Sequence, residues 1–158
     1  MEHVIGVISD THGLLRAEVR RRLGRCDLIV HAGDIGAGGL LGELRKIAKV
    51  VAVRGNTDTG TWALPLKATE CVQFAGKTIY VIHALENMNS GDLQAGAGRI
   101  DIVVFGHTHR PLIKQDGDTL YFNPGSAGPR RFDLPVSMGY IRIGPQDTIP
   151  EIIEINER

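Results

Sequence analysis

The sequence predicts an α/β fold whose first part alternates strand and helix and whose second part is mainly β. Three observations carry this. Short apolar, β-rich runs recur along the chain; helical stripes separate the first three; paired strand patterns around turn residues dominate from Glu70 onward.

His3 to Ser9 (HVIGVIS) reads as a buried strand, ended by Asp10-Thr11-His12-Gly13. Leu15, Val19 and Leu23 then form an i, i+4, i+8 stripe, and Gly24 suits a helix stop. Arg16, Arg20, Arg21 and Arg22 lie mostly off that stripe and read as a solvated face. Asp27 to Ala32 is the second strand, followed by Gly33-Asp34. Gly36, Gly38 and Gly39 turn into a helix with an apolar face of Leu40, Leu44, Ile47 and Ala48. Val50 to Val53 is the third strand, followed by Gly55-Asn56-Thr57-Asp58. The order β-α-β-α-β predicts parallel strands joined by right-handed crossovers.

Thr61 to Pro65 reads as a loop carrying the sole tryptophan, Trp62. Glu70 to Phe74 and Thr78 to His83 read as a hairpin around Ala75-Gly76-Lys77. Asn87 to Gly98 is polar and small, a weak helix or a loop, and Ile102 to Phe105 is a buried strand. Leu112 to Gln115 and Thr119 to Phe122 flank a second hairpin turn, Asp116-Gly117-Asp118. Asn123-Pro124-Gly125-Ser126 is a turn, and Ser137 to Ile143 and Thr148 to Ile155 are late strands. With no repeat, low-complexity tract or linker, residues 1–158 are expected to form one domain.

The chain has 18 Lys+Arg and 18 Asp+Glu, so no net field draws in a polyanion, which argues against a nucleic-acid coat or membrane-surface binder. There is no apolar run of membrane-spanning length. The N-terminal residues enter a strand pattern with no basic segment or signal core, so a cytoplasmic location is expected. Cys26 and Cys71 form no CxxC and are expected to be free, buried thiols.

Five apolar runs share one feature: each delivers metal-capable side chains at its carboxyl end. The donors are Asp10 and His12, Asp34, Asn56, His83, and His107 and His109. In open α/β sheets that edge is where ligands bind. In an extended His-x-His segment, period-two alternation points both rings to one side. All seven are oxygen or nitrogen donors, which suits Mn, Fe, Zn, Co or Ni, while the imidazoles disfavour Mg or Ca. Seven are too many for one tetrahedral zinc; they suit two ions sharing a carboxylate. Two dications and two carboxylates leave net positive charge for a hydroxide and a phosphate.

The blocks Asp10-Thr11-His12, Gly33-Asp34, Gly55-Asn56-Thr57-Asp58, His83 and Gly106-His107-Thr108-His109 closely resemble, in order, the signature of the calcineurin-like metallophosphoesterase superfamily. The short length, Asn123-Pro124-Gly125-Ser126 and Pro129-Arg130 look most like the small bacterial and archaeal phosphodiesterases of the YfcE type. The resemblance implies a four-layer α-β-β-α sandwich, two mixed β-sheets flanked by helices. It implies one metal on Asp10, His12, Asp34 and His109 and a second on Asp34, Asn56, His83 and His107, with Asp34 shared. It implies a hydroxide between the ions attacking phosphorus in line, with Asp34, Asn56 and His107 acting through it and Arg130 contacting phosphate. Manganese heads the expected cofactors, with Ni, Zn, Fe and Co as alternatives.

Two departures stand out. Thr57 occupies a position where many members carry histidine, thought to assist the leaving group, and a hydroxyl is a poor acid at neutral pH. Ala84 follows His83 where glycine is usual and narrows the approach to the second metal. His3 and His31 match no ligand position; His31 reads as a hydrogen-bonded packing residue. Asp58 reads as an organiser of the Asn56 loop, Trp62 as core or groove, Asn123 and Ser126 as turn formers, and Arg131 as surface charge.

The expected function is hydrolysis of a small phosphodiester. The alternatives are a phosphomonoesterase or nucleotidase, a nuclease weakened by the absent positive charge, and a non-catalytic scaffold of the retromer-subunit type. Neither the natural substrate nor the oligomeric state is legible in the sequence.

Overall fold

A computed structural model describes residues 2–88, 98–131 and 133–156. Two five-stranded mixed sheets pack face to face. The first has the order β10-β9-β1-β2-β3, built from Thr148–Glu154, Ser137–Ile143, His3–Ile8, Leu28–His31 and Lys49–Ala52. The second has the order β4-β5-β6-β8-β7, from Thr69–Phe74, Lys77–Ile82, Ile102–Val104, Thr119–Asn123 and Leu112–Asp116. Strands β1, β2 and β3 are parallel, as are β5, β6 and β8, and antiparallel strands β9, β10, β4 and β7 complete the sheets.

Side-chain alternation explains the layering. Ile5, Val7, Leu28, Val30, Ile79, Val81, Phe122 and Ile141 point between the sheets and form the central core. Their neighbours Ile8, Ile29, Met138 and Tyr140 point outward, under helices α1 (Ala17–Leu23) and α2 (Gly38–Arg45), which return Val19, Leu23, Leu40 and Leu44. The outer face of the second sheet, with Tyr80, Ile82, Val103 and Phe105, packs under Leu85 and Met88 around a 3₁₀ turn at Leu85–Asn87. Among the described residues the α-helices therefore flank the first sheet only. Most of the expected weak helix or loop over Asn87–Gly98 lies outside the described residues.

The arginines of α1 behave as solvated charge. Arg21 and Arg22 pair with Glu18, and Arg20 reaches Glu43 at 3.0 Å. Trp62 packs on the α2 side of the core. Both cysteines are free, but the expectation that both are buried fails. Cys26 is half-buried, while alternation on edge strand β4 turns Val72 and Phe74 inward and Cys71 out to solvent.

The carboxyl ends of β1, β2 and β3 lie at the same rim as those of β5 and β6. Backbone hydrogen bonds tie the loops together there: Asp10 N–H to Gly33 O at 2.9 Å, His12 N–H to Asp34 O at 2.9 Å, and Gly106 N–H to His83 O at 2.9 Å.

Candidate metal centre

The loops at this rim hold unusual backbone. Asp10, His12, Asp34, His107 and His109 all have positive φ, between 47° and 73°. Asp and His tolerate this region better than most residues, yet it still costs free energy that the surrounding contacts must offset. Three glycines permit the close approach. A Cβ on Gly33 would sit 2.6 Å from His83 Nδ1; one on Gly55 would collide with Asp34, and one on Gly106 with Ser9 Oγ.

The result is a crowd of donors from both sheets. Asp10, Asp34, His83 and His109 are buried and His12 is half-buried. One carboxylate oxygen of Asp10 is satisfied, accepting from Ser9 Oγ at 2.7 Å and from His107 N–H at 3.1 Å. The other, Oδ1, is buried without a hydrogen-bond partner, 3.4 Å from His109 Nε2 and 3.9 Å from His83 Nε2. His12 Nε2 is likewise buried and unpartnered, 3.8 Å from Asp34 Oδ2. Buried polar atoms are ordinarily paired, so two such orphans facing one spot mark a place for a cation.

His83 sharpens the point. Its Nδ1 lies 2.7 Å from the Ala32 carbonyl, which can only accept, so Nδ1 carries the proton. The lone pair of neutral Nε2 then faces Asn56 Oδ1 at 2.9 Å and Asp34 Oδ2 at 3.3 Å. With the Asn56 carbonyl turned this way, three acceptors face one another, an arrangement that a bound cation satisfies. Burial lowers the His83 pKa, but the Asp34 carboxylate and the Ala32 carbonyl outweigh it and the net shift is upward. Burial would raise the Asp34 carboxyl; the adjacent His83 ring and the hydrogen bond from Thr57 N–H hold it well below the usual carboxylate range. Asp10 is lowered too, its contacts with His109 and Ser9 overcoming burial. Burial, with Arg131 nearby, lowers the His12 imidazole despite Asp34. Ionised carboxylates and a neutral imidazole are the states a transition-metal ion requires.

Two overlapping groups are spaced to hold an ion: Asp10, His12 and His109, and Asp10, Asp34 and His83. They meet at Asp10, whereas the resemblance assigns the shared ligand to Asp34. Asp34 nonetheless spans both, between His12 and His83. His107 stands at the edge, exposed, its ring 5.1 Å from His83 and its Nε2 3.8 Å from Glu86. Arg130 and Arg131 are both exposed.

A second ring of residues holds the donors. Thr57 N–H donates to Asp34 Oδ1 at 2.9 Å. Asp58 is buried and accepts from Ile35, Gly36 and Gly55 N–H at 2.9 to 3.1 Å, binding the Asp34 loop to the Asn56 loop. Thr11 Oγ1 donates to Ile35 O and so accepts from His31 Nε2, while His31 Nδ1 accepts from Gly33 N–H. His31 is thus a neutral strut between the first two loops. Asn123 donates to Gly106 O and Thr108 Oγ1, and Ser126 donates to Asp10 O, so both brace the centre as well as forming a turn. Sequence reasoning missed Ser9 and the bracing roles of His31, Asn123 and Ser126. The only signal for Ser9 and His31 was a polar residue inside an apolar strand run.

A family profile described as the calcineurin-like phosphoesterase superfamily domain matches residues 4–144. A protein of Methanothermobacter thermautotrophicus named a probable metallophosphoesterase is 33% identical, over 95% of this chain and 91% of its own length. Phosphodiesterase YfcE of Escherichia coli is 27% identical over 73% of this chain and 63% of its own. Among solved structures, Vacuolar Protein Sorting 29 of Cryptosporidium parvum shares the fold with a TM-score of 0.74 at 19% identity, covering 99% of each chain. With the signature donors gathered at one rim and the profile running through most of both sheets, the chain belongs to the calcineurin-like phosphoesterase superfamily.

Proposed function

We propose that this chain is a phosphodiesterase with a two-metal centre. The observation that supports it most is the pair of buried, unpartnered atoms, Asp10 Oδ1 and His12 Nε2, set among convergent acceptors. The fold shared with Vacuolar Protein Sorting 29 does not by itself decide between catalysis and protein binding, and the convergent donor set favours catalysis. Asp10, His12, Asp34 and His109 would hold one ion, and Asp34, Asn56, His83 and His107 the other. Two divalent cations, when bound, supply Lewis acidity to phosphoryl oxygens and bring the pKa of a water to about 7. Manganese is the first metal to test.

The protein's own part is positional. The Ala32 carbonyl fixes the His83 tautomer, Ser9 and the His107 amide aim Asp10, and Thr57 and Asp58 hold Asp34 and Asn56 in register. Asn56 and His107 stand exposed at the mouth, so a phosphate flanked by two ester groups can approach. Arg130, on an exposed loop, is proposed as a phosphate contact. The balanced charge of the chain favours a small diester over a nucleic acid. The domain is taken as residues 1–158 and its location as cytoplasmic.

The test loads metal-free protein with Mn, Ni, Zn or Fe and assays bis(p-nitrophenyl) phosphate against p-nitrophenyl phosphate. Diester turnover should require metal and exceed monoester turnover. Asp34→Asn should lower it by about a hundredfold or more, as expected for loss of a metal-holding carboxylate, and Asp10→Asn should reduce metal stoichiometry alongside it. An Asp34→Asn protein as active as the parent would refute the shared-ligand assignment.

A further inference from the structure

We propose that the cleft beside Asn56 and His107 binds an anionic substituent of the phosphate ester through Arg54. This rests on the phosphoesterase reading of the centre. The cleft measures about 300 Å³ and is lined by Asn56, His83 and His107 together with Ala84, Thr69 and Arg54. Three of its lining residues are proposed holders of the second metal, so a phosphorus placed there has one of its substituents directed into this space.

The charge in the cleft is what selects. Among the described residues the Arg54 guanidinium has no hydrogen bond or ion pair, unlike Arg20, Arg21, Arg22, Arg99 and Arg142, each of which meets a carboxylate. Arg54 is held in place through its backbone, whose N–H donates to Lys67 O at 2.8 Å. Glu86 also lines the cleft, but its Oε1 lies 3.8 Å from His107 Nε2, at the metal end. A carboxylate or second phosphate on the substituent can take both guanidinium donors at once, and a charge-assisted pair of that kind is stronger than a neutral hydrogen bond. The buried Ala84 adds a methyl to the cleft wall, which leaves less room for a bulky substituent than a glycine would.

The test is calorimetric titration of the Mn-loaded protein with 2-phosphoglycolate and with ethyl phosphate, which differ chiefly by one carboxylate. The parent should bind 2-phosphoglycolate about five- to tenfold more tightly, in line with a partly exposed charged hydrogen bond. Arg54→Gln should erase that preference and leave ethyl phosphate binding unchanged. Arg54→Lys should restore part of it, since the charge remains without the fork. A preference that survives Arg54→Gln means the carboxylate chelates the metals, and overturns the inference. So does an absence of preference, or of binding by either ligand, in the parent. Hydrolysis of bis(p-nitrophenyl) phosphate is scored separately. Its absence refutes the phosphodiesterase reading, while the calorimetry still reports on Arg54.

Discussion

Moving from about pH 7 to about pH 5 should remove about 2 kcal/mol of folding stability through one imidazole, that of His31. His31 is fully buried, and burial pushes its pKa down to about 4 from 6.5. The folded pKa lies below the unfolded one, so between them the unfolded chain binds more protons. The stabilisation is whole above the unfolded value and drains away as pH falls towards the folded one. At about 1.4 kcal/mol per unit the full loss is about 3.5 kcal/mol, and a little over half of it is gone by about pH 5. The geometry gives the reason: Nδ1 accepts from Gly33 N–H at 3.1 Å, and a proton there would face that donor. The assay is urea unfolding of chelated protein, followed by the fluorescence of Trp62, at both pH values. His31→Gln keeps a donor for Thr11 but does not titrate. It should be less stable at neutral pH and lose about 2 kcal/mol less than the parent on acidification. The Asp10 and Asp34 carboxyls, also shifted, are present in both proteins, and their contributions cancel in the comparison. Equal losses in the two proteins would refute the assignment of a neutral strut.

Asp58→Ala should cost about 3 kcal/mol or more by chemical denaturation, because it strands three backbone donors around a buried site, and Asp58→Asn should recover part of that. Gly33→Ala, at φ 102° and facing His83, should cost about 2–3 kcal/mol and weaken metal uptake measured by competition with a chelator. With Thr57 in place of a protonating histidine, activated aryl diesters should turn over faster than alkyl ones, and Thr57→His should narrow the gap; equal rates in the parent on both kinds would count against this.

Much of the fold was legible because the central strands are short apolar runs with polar ends. Asp10, Asp34, Asn56 and His83 lie within a few residues of the ends of such runs, and parallel pairing in each sheet brings those ends to one rim. The β-α-β-α-β order settled the first sheet's parallel core. The second sheet was not derivable from local pattern. There β8 lies beside β6, and β7, which precedes β8 in the chain, is pushed to the edge. No periodicity in either strand records that non-local choice. The donors outran their supports for a similar reason. A motif repeats at fixed spacing, but Ser9, His31 and Ser126 act through contacts with residues set by the tertiary fold. Cys71 was misplaced because its type was weighed without its parity: in Thr69–Phe74 it shares a face with Gln73, opposite Val72 and Phe74, and so turns outward.

The left-handed backbone at Asp10, His12, Asp34, His107 and His109 also limits what the centre can become. Aspartate, asparagine and histidine enter that conformation at modest cost, whereas most other side chains resist it. Exchanging these residues for cysteines to recruit a softer ion would thus set each new thiolate on a peptide geometry it disfavours. An engineer pursuing such a conversion would have to redraw the connecting segments themselves, since the selectivity for oxygen and nitrogen is written partly into the main chain.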